Sequence, residues 1–79
     1  MDENNLFREA FSLEVAQLIG KRIRKTCDGF DYPAYWTVVE PQYQTLGFGE
    51  RARRLVDALE RTLPADFRKA AAILCASLG

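Results

Sequence analysis

The chain has 79 residues, of which 48% are apolar and 28% are charged, and its eleven basic residues balance eleven acidic ones. A chain of this length is one small domain or part of one, and this composition is typical of a folded protein and argues against disorder. The zero net charge excludes a global positive field that would attract nucleic acid or anionic lipid, so any such attraction must come from a local patch.

The side-chain inventory excludes several classes of site. The sequence contains no histidine, which removes the commonest general base and the usual metal ligand, so we expect no metal site and no cofactor. Cys27 and Cys75 are too few for a disulfide framework and are interpreted as reduced thiols. No apolar run approaches the length of roughly 18 residues that indicates a membrane span, and the residues after Met1 lack the basic flank of a secretory signal. The sequence therefore predicts a cytoplasmic protein with no membrane contact.

The first predicted helix covers residues 12–27. Ser12 is a candidate N-cap, because its hydroxyl can accept a hydrogen bond from a free N–H of the first turn. Gly29 favours an end to the helix just after Cys27, since glycine readily takes the left-handed conformation. Apolar residues recur at helical spacing along this segment and predict a buried stripe: Phe11, Val15, Leu18, Ile19 and Ile23.

The second predicted helix covers residues 31–46 and is capped by Asp31. Its apolar stripe comprises Tyr35, Val38, Val39, Tyr43 and Leu46. Pro41 lies inside this pattern and is expected to kink the helix or split it, because proline lacks an N–H and its ring crowds the carbonyl four residues back. Gly47-Phe48-Gly49 predicts the next turn.

The third predicted helix covers residues 50–63 and ends before Pro64. Its charged face holds opposite charges at i, i+4 spacing, which predicts the ion pairs Glu50–Arg54 and Asp57–Arg61. Its apolar face comprises Ala52, Leu55, Val56, Leu59 and Leu63.

The fourth predicted helix covers residues 66–78, with Asp66 as its candidate cap, and its second half is apolar on nearly all sides. Such a helix is normally covered on more than one side. We therefore expect a following repeat or a second copy of the chain to pack on it, with Ile73, Ala72 and Ala76 as candidate interface residues. Cys75, which has apolar neighbours, is expected to be buried and unreactive.

Four helices with short connections, and no period-two alternation, predict an all-α fold of two antiparallel helical hairpins in a single domain over residues 1–79. Two groups of basic side chains are candidates for contact with a DNA backbone, because their cations can bind phosphates. One group, with no acid among it, is either a phosphate-facing patch or a solvated helix end: Lys21, Arg22, Arg24 and Lys25. The other is Arg51 and Arg54, whose acidic neighbours favour a solvated, ion-paired face. Trp36 either stacks on an unpaired base or packs between the hairpins.

A series of short motifs runs along the chain: Asn5-Leu6-Phe7, Gly29-Phe30-Asp31, Leu46-Gly47-Phe48-Gly49-Glu50-Arg51-Ala52-Arg53, Ala58-Leu59, Leu63-Pro64-Ala65-Asp66-Phe67 and Ala70 to Leu74. In these motifs the chain resembles the amino-terminal segment of bacterial DNA alkylation-repair proteins built from HEAT-like repeats, of the 3-methyladenine DNA glycosylase type. The resemblance implies a right-handed solenoid of helical hairpins whose concave basic face grips duplex DNA, and base excision by hydrolysis of an N-glycosidic bond. It assigns no catalytic residue here, because the acidic and aromatic catalytic residues of that family belong to later repeats.

Two interpretations of function follow. The first is a HEAT-like unit, non-catalytic by itself, that caps the solenoid and assists contact with the DNA backbone. The alternative is a stand-alone helical module for protein–protein interaction, either monomeric or dimeric. About three stacked repeats are usually needed for stability and this chain offers two, so we expect either a terminal capping unit of a longer protein or a short relative that assembles with itself.

Overall fold

The computed structural model describes residues 11–78, and these residues form four α-helices and one short 3₁₀ turn. The helices are α1 (Leu13–Thr26), α2 (Tyr32–Val39), α3 (Phe48–Thr62) and α4 (Phe67–Leu78), and the 3₁₀ turn is Tyr43–Thr45. No strand occurs in the described range, and the all-α prediction is confirmed. The motif Asn5-Leu6-Phe7 lies outside the described residues.

Helix α1 begins and ends close to its predicted bounds because the local capping signals operate as expected. The Ser12 hydroxyl accepts a hydrogen bond from the Val15 backbone N–H at 3.3 Å, which satisfies one free donor of the first turn. Gly29 takes the left-handed conformation, with φ at 80°. The predicted cap and the predicted end of this helix are both confirmed.

Pro41 splits the second predicted helix. Asp31 caps α2 by accepting a hydrogen bond from the Ala34 N–H at 3.1 Å, but the helix then ends at Val39. Gln42 follows in the left-handed region with φ at 59°, and the chain continues as the 3₁₀ turn. The split is one of the two outcomes predicted for this proline, and it shortens the helix to eight residues.

Helix α3 begins earlier than predicted. Phe48 and Gly49 lie in its first turn, so the predicted turn at these two residues is wrong. Gly47 precedes the helix in an extended conformation. The ring of Phe48 meets that of Phe11 edge-on at a centroid distance of 4.9 Å, which anchors this first turn on the segment before α1.

The helices surround one apolar core. Each helix contacts the next along the chain, the contact of α2 with α3 is the most extensive, and α1 also contacts α4. Fully burying one aliphatic side chain stabilises a fold by about 1.5–3 kcal/mol, so this core provides most of the driving force for folding. The largest fully buried side chains are Tyr35, Tyr43, Ile19, Ile23, Leu55, Leu59 and Val39.

Three residues predicted to lie in the core are on the surface instead. Leu18 is 64% exposed and Val56 is 40% exposed, although each belongs to a predicted apolar stripe. Cys75 is also exposed, and its predicted burial is wrong. Each of these residues directly adjoins a buried one along its helix, and a step of one residue turns a side chain by about 100°, which is enough to leave the covered face.

Candidate functional site

The basic group of α1 is exposed along the second half of the helix. Arg22 donates a hydrogen bond from Nη1 to the Ser77 hydroxyl of α4 at 3.3 Å. The guanidinium carbon of Arg24 lies 5.8 Å from the centroid of the Tyr32 ring, a distance at which a cation and an aromatic face attract each other. These contacts orient the two arginines on α1 without burying their charge.

None of the four cations has an ion-pair partner among residues 11–78. Lys21 and Lys25 differ from the two arginines because, within those residues, their ammonium groups make no side-chain hydrogen bond or aromatic contact either. Both side chains are exposed and lie one turn apart on α1. Lys25 also lies in the last turn of the helix, where the partial negative charge of the carbonyl ends favours a cation. The side chains available to an external anion are therefore these two lysines, with Arg22 and Arg24 beside them.

Arg51 is hydrogen-bonded to the 3₁₀ turn that follows the interruption of the second predicted helix at Pro41. It donates hydrogen bonds from Nε to the Tyr43 carbonyl at 3.0 Å and from Nη2 to the Gln44 carbonyl at 2.8 Å. Its guanidinium carbon also lies 5.5 Å from the centroid of the Tyr43 ring. The Tyr43 carbonyl also accepts a hydrogen bond from the Leu46 N–H at 3.2 Å, so Arg51 reinforces the 3₁₀ turn and ties it to the first turns of α3.

Arg54 has a similar role at the end of α2, where its Nη1 donates a hydrogen bond to the Val38 carbonyl at 3.1 Å. The predicted ion pairs Glu50–Arg54 and Asp57–Arg61 do not form within the described residues. Glu50 instead forms an ion pair with Arg53, with 3.9 Å between Oε1 of Glu50 and Nη1 of Arg53. Sequence reasoning missed this use of both arginines. The available signal was Pro41, which frees carbonyls just ahead of an arginine-rich helix.

The structure does not bring Arg51 together with the basic group of α1. Arg51 lines a groove with Ser12, Glu14 and neighbouring residues, at the amino-terminal end of α1. Lys25 lies near the other end of this 14-residue helix, which is about 21 Å long at 1.5 Å per residue. The predicted DNA-contact residues therefore form separate surfaces.

Trp36 is half-buried on α2. Its ring meets those of Tyr32 and Tyr35 edge-on, at centroid distances of 5.9 and 5.8 Å. It also lines a shallow groove of about 190 Å³ between α1 and α2, together with Leu13, Gln17 and Glu40. One part of the indole thus belongs to an aromatic cluster, and another part is open to solvent.

The outer face of α4 is formed by small side chains. Ala72, Cys75 and Ala76 are exposed, whereas Ile73 is half-buried and packs against the core. The interface candidates therefore separate into two alanines on the open face and an isoleucine that already contacts this chain.

Two core tyrosines have perturbed acidity. The Tyr35 hydroxyl donates a hydrogen bond to the Ala16 carbonyl at 2.8 Å, and burial raises the pKa of this phenol far above its usual value. Burial raises the pKa of Tyr43 to about 12, although nearby Arg51 opposes the shift. The Tyr43 hydroxyl is buried without a hydrogen-bond partner. Both phenols remain protonated at neutral pH, so neither can act there as a general base.

The described residues contain no group of three or more Cys, Asp or Glu side chains placed to hold a metal ion. No helix among them combines the length and apolar character needed to cross a bilayer. In comparisons with known proteins, no family model, no curated protein and no solved structure matches this chain.

Proposed function

We propose that this chain is a HEAT-like helical unit of a DNA alkylation-repair protein, non-catalytic by itself, which caps a right-handed solenoid and contacts the DNA backbone. Stacked helical hairpins bury their apolar faces against neighbouring repeats and leave one helix of each pair free to meet a ligand. The four described helices, their short connections and the repair-like motifs support this proposal.

One observation carries the DNA contact. The second half of α1 presents Lys21, Arg22, Arg24 and Lys25 to solvent with no acid among them. Cations in such a patch bind phosphates by releasing the counterions condensed on DNA, and they do so without reading its sequence. Arg51 and Arg54 are assigned a lesser part, because their guanidinium groups already donate hydrogen bonds to backbone carbonyls.

Salt-dependent binding to duplex DNA tests this function. Each phosphate contact contributes about −0.9 to the slope of log K against log salt concentration. Replacing Lys21, Arg22, Arg24 and Lys25 with alanine should weaken binding and make this slope less steep by roughly 3–4. The charge-matched control replaces four exposed cations elsewhere with alanine: Arg53, Arg61, Arg68 and Lys69. If both variants bind as the parent does, or weaken equally, the α1 patch is not the DNA contact.

The non-catalytic assignment has its own test, the release of bases from methylated duplex DNA by the isolated chain. We expect release at the background rate, because the acidic and aromatic catalytic residues that the resemblance implies belong to later repeats. Robust release, lost on unfolding the protein, would show that the chain is an enzyme.

The outer face of α4 favours a second candidate function, a helical module for protein–protein interaction. The exposed side chains of Ala72, Cys75 and Ala76 would let another helix approach the second half of α4 closely, and an apolar helix face is normally covered. The partner in this proposal is a helix of a further repeat or of another copy of the chain.

Cys75 provides the probe for this second function, because its exposed thiol lies on the face in question. If copies associate through α4, labelling of Cys75 by a thiol reagent should slow as protein concentration rises. Ala72→Glu and Ala76→Glu should restore fast labelling by placing charges in the contact. A labelling rate that is independent of concentration and of both substitutions would remove α4 as a self-association surface.

A further inference from the structure

A furrow runs between α1 and α2, and one row of side chains from each helix borders it. On α2 the row is Tyr32, Trp36 and Glu40, which are spaced four residues apart and therefore share one side of the helix. On α1 the row includes Leu13 and Gln17, which line the groove of about 190 Å³ together with Trp36 and Glu40. This groove thus combines an indole and an aliphatic side chain with an amide and a carboxylate.

Cations border the furrow beyond the groove, towards the end of α1. The guanidinium carbon of Arg24 lies 5.8 Å from the centroid of the Tyr32 ring, and the Tyr32 ring meets the Trp36 ring edge-on at a centroid distance of 5.9 Å. A single ring therefore separates this guanidinium from the indole. Lys21 is exposed and lies one turn after Gln17 on α1, so a second cation borders the same stretch of the furrow.

The order of groups along the furrow is complementary to a nucleotide. A phosphate is attracted by Lys21 and Arg24, and a flat base can stack on the indole. Every nucleobase carries at least one N–H donor on its Watson–Crick edge, which the Glu40 carboxylate can accept, and acceptor atoms to which the Gln17 amide can donate. A wholly cationic ligand would be repelled by the two basic side chains, and a wholly anionic one would be repelled by the carboxylate.

We propose that this furrow binds an unpaired base of DNA, which stacks on Trp36. Gln17 and Glu40 form hydrogen bonds to the edge of the base, and Lys21 and Arg24 hold the neighbouring phosphates. In a duplex the face of a base is covered by its stacked neighbours and its Watson–Crick edge by its pairing partner, so only an unpaired base fits. The proposal rests on the DNA contact assigned above to α1, and it adds a preference for unpaired over paired DNA.

The intrinsic fluorescence of the protein provides the first test, because the chain contains one tryptophan. A single strand of mixed sequence should quench the indole emission, and a duplex of the same length should leave it nearly unchanged at the same salt concentration. Free dAMP should quench only at far higher nucleotide concentration, because a single phosphate releases fewer counterions than a strand. No quenching by a saturating single strand, or equal quenching by dAMP at equal nucleotide concentration, overturns the proposal.

Substitution of the indole tests the stacking by affinity. Trp36→Leu keeps an apolar side chain and should weaken binding to a dye-labelled single strand at least about fivefold, the lower end of what one stacked base contributes, without changing duplex binding. Phe67→Leu is the matched control, because Phe67 is also a half-buried aromatic residue but does not line the groove, and it should change neither affinity. Circular dichroism checks that both variants fold. If Trp36→Leu weakens single-strand and duplex binding equally, the indole does not bind a base.

A second pair of variants removes no packing. Gln17→Glu places another carboxylate in the groove beside Glu40, whereas Gln44→Glu makes the same charge change at an exposed glutamine outside the groove. The ratio of single-strand to duplex affinity should fall at least about fivefold for Gln17→Glu and stay constant for Gln44→Glu. Salt-dependent duplex binding with an unchanged ratio would refute the base site alone, whereas no binding to either form of DNA would also refute the DNA contact of α1.

Discussion

Gly20 of α1 lies in a tight contact with two tyrosines of α2, and this contact predicts the effect of adding a methyl group there. A Cβ atom added at this buried position of α1 would lie 2.8 Å from Cε1 of Tyr35 and 3.0 Å from Cε2 of Tyr32. Real Cβ atoms essentially never come closer than 3.0 Å to another heavy atom. The Tyr35 ring has little room to retreat, because it is fully buried and its hydroxyl is tied to the Ala16 carbonyl.

Two opposing effects decide the result of Gly20→Ala. Alanine is favoured over glycine inside a helix by about 1 kcal/mol. Forcing an extra methyl group into a well-packed contact costs about 1–3 kcal/mol. The contact with a fixed aromatic ring places the packing cost in the upper part of that range. We therefore expect Gly20→Ala to lower the free energy of unfolding by about 1 kcal/mol. In a domain of this size that loss lowers Tm by roughly 4–8 °C.

Gly49→Ala is the matched control, because it makes the same substitution in the first turn of α3 where a new Cβ meets nothing within 4 Å. The control should be stabilised by up to about 1 kcal/mol, opposite in sign to Gly20→Ala. Urea unfolding followed by circular dichroism, together with a thermal scan, measures both free energies. If Gly20→Ala stabilises the protein as much as the control does, then α1 and α2 do not approach each other as closely as described.

Three further predictions concern the core and the thiols. Tyr35→Phe should lose about 1 kcal/mol of unfolding free energy with its buried hydrogen bond, whereas Tyr43→Phe should be neutral or stabilising because that hydroxyl has no partner; equal losses in urea unfolding would contradict this. The pKa of Tyr43 is raised from 10.0 to about 12, so the folded state keeps a proton that the unfolded state loses. Stability should therefore be full below pH 10 and fall as the pH rises from 10 towards 12, and a urea midpoint that is constant over this range would argue against the shift. A thiol reagent should label one cysteine quickly in the native protein, the exposed Cys75, and two after unfolding, since Cys27 is buried; two fast native thiols would show that Cys27 is accessible.

The helices could be predicted from the sequence because their ends depend on local chemistry. A hydroxyl at Ser12 and a carboxylate at Asp31 each accept from a nearby backbone N–H, and these contacts need no other part of the fold. Pro41 acts just as locally, since the loss of its own N–H interrupts the helix. The first turn of α3 was not predicted, and it packs the ring of Phe48 against that of Phe11, which is distant in sequence.

Which apolar residues stay exposed could not be predicted equally well, because the exposure of a side chain depends on where the neighbouring helices end. The apolar period of α1 includes both Leu18 and Ile19, yet Ile19 is buried and Leu18 is exposed. Spacing alone gives a stripe wider than the face that is finally covered. The roles of Arg51 and Arg54 are long-range for the same reason, since each side chain reaches carbonyls in another element.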